Sequence, residues 1–109
     1  MNENYTTARD TLLNGMYVIE MRALTVAGTY AKIVASGDTD AKPITDAYGA
    51  LMDSIAHYEQ DAAKYITGKY ARRVVVDAVT NYAAWVAVHN DRSEEKRFKL
   101  IDLIYDAID

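Results

Sequence analysis

Cysteine is absent from this chain of 109 residues. Disulfides and thiolate metal sites are therefore excluded, and nothing points to an oxidising compartment. Proline occurs once, at Pro43, and the five glycines stand singly. All-β domains use more turn residues than this, so the scarcity favours helices. Scattered glycines also leave no glycine-rich phosphate loop. No uncharged stretch approaches the roughly 20 apolar residues of a membrane span. The longest, Ala78 to Asn90, contains Thr80, Asn81 and His89 and reads as a buried helix. The polar start, Met1 to Thr7, lacks the basic residues and apolar core of a secretion signal, so a cytoplasmic protein without membrane contact is expected. A strong excess of one charge is lacking too. The net charge of −4 disfavours sequence-independent binding of nucleic acid and fits ordinary solubility.

Half of the residues are hydrophobic and about a quarter are charged, the balance of one globular domain spanning 1–109. Their spacing is helical. Leu12, Met16, Ile19, Ala23, Val26, Tyr30 and Ile33 step by 4, 3, 4, 3, 4, 3 and predict a first helix over 6–35. Gly37 suits a left-handed cap, and Asn14-Gly15 is a weak point where the helix would kink or split. A second helix is expected over 42–67, with Pro43 in its first turn and Gly68 capping its end. Its stripe is Ile44, Tyr48, Leu51, Ile55, Tyr58, Ala62 and Tyr65. A third helix is expected over 69–90, with Val75, Ala78, Tyr82, Trp85 and His89 on one stripe flanked by Val79 and Val86. A fourth is expected over 93–107, with Phe98, Ile101, Tyr105 and Ile108 as its apolar face and Leu100, Leu103 and Ile104 beside it. Asp91 with Glu94 has capping-box spacing, and Ser93 is a rival N-cap.

Short connections make neighbouring helices antiparallel, which gives an all-α, up-down-up-down four-helix bundle. The first helix would be about 45 Å long and the fourth about 23 Å. The fourth cannot cover the first, so the remaining apolar surface calls for a second copy, a partner or a ligand. Folding the first hairpin about residue 39 or 40 sets Gly15 opposite Tyr65 and Gly49 opposite Tyr30, small against large. It also places acidic residues beside both basic clusters. Asp102, Asp106 and Asp109 would compensate Lys64, Lys69, Arg72 and Arg73, and Asp38, Asp40 and Asp46 would compensate Arg92, Lys96 and Arg97.

Reactive constellations are scarce. The two histidines form neither His-Glu-x-x-His nor Glu-x-x-His, the spacing that di-iron bundles require. Asp53, His57 and Asp61 share a face of the second helix, yet no further ligand accompanies them. A solvated face with weak ion pairs accounts for that pattern. His89 near a helix end suits carbonyl capping or partial burial. Ser36, Ser54 and Ser93 lack the company of a nucleophile. No catalytic residue, metal ligand or cofactor is expected, and the chain does not read as an enzyme.

Aromatic choice is the unusual feature: nine tyrosines against one phenylalanine and one tryptophan. A buried hydroxyl needs a partner, so tyrosine suits half-wet places. In a narrow bundle it simply bridges core and solvent. It also suits an interface edge or a pocket wall. Tyr58, Tyr65 and Tyr70 with Lys64, Arg72 and Arg73 are the candidate contacts for a partner or an anionic ligand. The leading expectation is a non-enzymatic binding protein of inhibitor, regulator or adaptor type, acting on another protein and assembled as a homodimer or higher homo-oligomer. The alternative is a sponge or sensor for a small anion such as a nucleotide.

Overall fold

The computed structural model describes residues 3–108, which form four α-helices and, among the described residues, no strand. They are α1 (Glu3–Ser36), α2 (Lys42–Tyr65), α3 (Lys69–His89) and α4 (Glu94–Ile108). The expected helices are thus present, with no end shifted by more than three residues.

Local chemistry sets the ends. Gly37 takes the left-handed conformation (φ +69°) that stops α1. Pro43 sits in the first turn of α2, where its missing N–H has no helical partner to lose. Two cap expectations are corrected. α2 ends at Tyr65 with Ile66 as its extended C-cap, and Gly68 instead opens α3 with a negative φ of −72°. Asn90, unforeseen, closes α3 in the left-handed region (φ 52°). Ser93, and not Asp91, is the cap of α4: its hydroxyl accepts the Lys96 amide at 3.2 Å, while the Asp91 carboxylate takes the Arg92 amide. Asn14-Gly15 does not interrupt α1, which is continuous through it.

The core joins all four helices. Leu12, Met16, Ile19 and Ala23 of α1 meet Leu51, Ile55, Tyr58 and Ala62 of α2. Val75, Val79, Tyr82 and Val86 of α3 close it, together with Leu100 and Ile104 of α4. The faces of α3 and α4 hold most of the expected residues, Val75 and Tyr82 buried and Ala78, Trp85, Ile101 and Ile108 packed on the core, but their centres are turned toward the expected flanks. Val79 and Val86 lie deeper than Ala78 and Trp85. Leu100 and Ile104 are buried, whereas Phe98 is 63% exposed.

The glycine pairings are also corrected. A Cβ at Gly15 would lie 2.7 Å from Cδ2 of Tyr58, so Gly15 packs under Tyr58 and not Tyr65. Gly49 is exposed and has nothing near it. Small against large holds at one of the two places, two helical turns from the expected register.

Length separates the helices further. At 1.5 Å per residue α1 runs about 51 Å and α4 about 22 Å. The molecule measures 53 Å along its longest axis, so α1 spans it from end to end.

Candidate functional site

The candidate contact residues do not form one site. Tyr58 is buried in the core against Gly15. Burial first, and the Asp61 carboxylate second, push its phenol far above the ordinary range, so it stays neutral. Tyr65 is half-buried under the Lys64 ammonium, which lies 5.3 Å from the ring centroid. Tyr70, Arg72 and Arg73 do come together, with Lys69, Glu59 and Asp77, around a concavity of about 740 Å³ between α2 and α3. Arg72 spends its Nε on the Ile66 carbonyl at 3.3 Å. Tyr70 is 83% exposed.

Charge compensation takes a different form from the expected one. No ion pair among the described residues joins Lys64, Lys69, Arg72 or Arg73 to Asp102 or Asp106, and Asp109 lies outside the described residues. Arg92 and Arg97 turn to Glu20, not to Asp38, Asp40 or Asp46. Arg97 Nε is 2.8 Å and Arg92 Nε 3.6 Å from the Glu20 carboxylate. The Tyr82 hydroxyl donates to Glu20 at 2.5 Å. Glu20 is fully buried, so three helices and the α3–α4 turn converge on one carboxylate. Burial, then this hydrogen bond, push the Tyr82 phenol far above its usual range. Arg97 also stacks its guanidinium over Tyr17, 5.3 Å from the ring centroid. This group was missed in the sequence. Its one signal is that Glu20 is the only charge between Asp10 and Arg22, at the edge of an apolar stripe.

The remaining sequence candidates are peripheral. Asp53, His57 and Asp61 line a shallow groove of about 320 Å³ against Gly15, Val18 and Arg22 of α1. His57 Nε2 is 3.8 Å from Asp61. No three acidic or histidine side chains among the described residues stand close enough together to hold a metal ion. His89 is exposed and stacks on Trp85, the ring centroids 4.1 Å apart, with Nδ1 2.8 Å from the Trp85 carbonyl.

A long stretch without buried residues lies around the α1–α2 turn. Ala23, Ala27, Tyr30 and Val34 continue one stripe by steps of 4, 3 and 4. Ala23 and Ala27 are buried, yet Tyr30 and Val34 are each 62% exposed. On α2 the same thing happens in mirror order. Leu51 is buried, while Tyr48, in the same phase, is 56% exposed. No residue from 28 to 50 is buried. The cause is length. α3 closes about 10 Å beyond Tyr82, whereas α1 runs about 24 Å beyond Glu20, the partner of Tyr82. The last turns of α1 and the first of α2 thus present inward-phased side chains to solvent.

No family model matches this chain, and no curated protein or solved structure matches it either. Among the described residues, no helix is long and apolar enough to cross a membrane.

Proposed function

We propose that this chain is a non-enzymatic binding protein of inhibitor, regulator or adaptor type, acting through protein–protein contact at the α1–α2 end. One observation carries the reading: Tyr30 and Val34 keep the phase of the core stripe but lie outside the core. Exposed apolar residues scattered singly need no explanation, but a stripe that leaves the core while holding its phase is a surface shaped for another one. Tyrosine suits that role because it offers a large apolar face and a polar tip at small entropic cost. The test replaces Tyr30 with a photo-reactive phenylalanine analogue in the native host. A discrete protein adduct that disappears in Val34→Glu supports the reading. Adducts to solvent alone remove it.

A second reading rests on the concavity between α2 and α3. Lys69, Arg72 and Arg73 with Tyr70 are suited to a small anion such as a nucleotide, and the volume lies in the range of ligand pockets. Glu59 and Asp77 in the same wall oppose it, which ranks it second. A thermal-shift screen against nucleotides decides it, since stabilisation follows ligand concentration over Kd. A shift lost in Arg73→Ala supports the pocket, and no shift at millimolar nucleotide dismisses it.

A further inference from the structure

We infer that the protein occupying the α1–α2 end is a second copy of this chain, docked end region to end region about a two-fold axis. This rests on the reading of that end as a contact surface and names its partner.

The argument begins with layers. A pair of helices buries its apolar faces only against another layer. Over residues 12–23 of α1 that layer is α3 with α4. Over residues 28–50 it is missing, because α3 stops short and no residue there is buried. What fits the gap is another pair of helices with its own apolar stripe uncovered. The chain's own α1–α2 end is such a pair, and a patch that faces itself closes as a dimer without leaving a free surface.

Area agrees. The uncovered parts of Tyr30, Val34 and Tyr48 amount to about 300 Å² of apolar surface per copy, taking 150–250 Å² for a whole aromatic side chain. A standard interface buries about 800 Å² per partner, somewhat over half of it apolar. The stripe therefore supplies the larger part of the apolar share of one standard interface.

Charge agrees as well. The end carries Lys32 and Lys42 together with Asp38, Asp40 and Asp46, and Lys42 is already paired with Asp46 at 2.7 Å. This near-balance gives no hold on a strongly charged macromolecule such as nucleic acid, and it lets two copies meet without strong repulsion.

Sedimentation velocity of the full chain, from low to high micromolar, reads the outcome. The expected result is a monomer–dimer equilibrium. Tyr30→Glu with Val34→Glu should weaken it more than about tenfold, and Phe98→Glu, an equally exposed apolar position elsewhere, should leave it unchanged. Mixing the Glu pair with the matching Tyr30→Lys and Val34→Lys chain should restore the dimer, since in a two-fold contact each patch faces its own counterpart. Circular dichroism of each variant checks that the helices persist. A strict monomer, or a dimer indifferent to the Glu pair, overturns the inference. If that monomer still forms a discrete photo-adduct from position 30 to a different protein, the contact surface stands and only the self-pairing falls. If it forms none, both fall.

Discussion

The Tyr82 hydroxyl donates to Glu20 at 2.5 Å, whereas the equally buried Tyr58 hydroxyl has no hydrogen-bond partner among the described residues. Removing an oxygen therefore has opposite effects at the two positions. Tyr58→Phe relieves an unsatisfied polar atom and should raise stability by about 1 kcal/mol, while Tyr82→Phe strips a charge-assisted bond from a buried carboxylate and should cost about 1–3 kcal/mol. Both phenols are held above their ordinary value of 10.0 by burial. Folding thus favours their neutral form. That contribution is whole below about pH 10 and is lost as pH rises past it, because the unfolded chain ionises first. Urea unfolding at neutral pH and above about pH 10 checks the sign, and the alkaline loss should be shallower in Tyr58→Phe. The glycines offer a second contrast. A methyl at Gly15 meets the fixed ring of Tyr58 at 2.7 Å, but at Gly49 it meets nothing. Gly15→Ala should destabilise by about 1–2 kcal/mol despite the gain in helix propensity, and Gly49→Ala should stabilise by about 0.5–1 kcal/mol. Differential calorimetry of the two variants separates close packing from mere helix content.

At the scale of the element, α4 shows where reading the sequence succeeds and where it stops. Its start was legible, because Ser93 ahead of Glu94-Glu95 is a local signal that needs no tertiary partner. The centre of its inward face was not. Phe98, Ile101, Tyr105 and Ile108 have helical spacing, and so do Arg97, Leu100 and Ile104. The decision is made by Glu20 on α1, which draws Arg97 inward at 2.8 Å and turns Leu100 and Ile104 into the core with it. That contact joins residues far apart in sequence, and no periodicity reports it. The candidate site suffered in the same way. Tyr58 and Tyr65 share the stripe of Tyr48, but only packing reveals that Gly15 claims Tyr58 for the core while Tyr48 stands outside it. The rotated face has a direct consequence. Leu100→Ala should cost about 2–4 kcal/mol by leaving a cavity, whereas Phe98→Ser should fall within about 0.5 kcal/mol of the parent. Chemical denaturation of the pair reads the face that α4 buries, and equal losses would contradict this packing.

For the whole molecule, the unequal helix lengths divide one continuous rod into two regimes. Between Leu12 and Ala23 α1 is held by three neighbours, but beyond Gly28 it has only α2 beside it and no buried residue. The inequality itself was visible in the sequence, since helix length follows from stripe length. Which residues it strands depends on where Glu20 meets Tyr82 along the axis, and that is a tertiary fact. Helical hydrogen bonds alone hold a short segment weakly in water, so local opening should be frequent wherever burial stops. Hydrogen exchange of the dilute protein should therefore find amides of residues 28–50 exchanging well before those of 12–23, although both stretches include α1. Raising the protein concentration should slow exchange in 28–50 and leave 12–23 unaltered, because self-association adds its free energy only to the region it covers. Uniform protection along α1 in the dilute protein would mean that the α1–α2 pair is stable by itself. The exposed Tyr30, Val34 and Tyr48 would then need no covering layer, and the case for a contact surface at that end would lose its energetic basis.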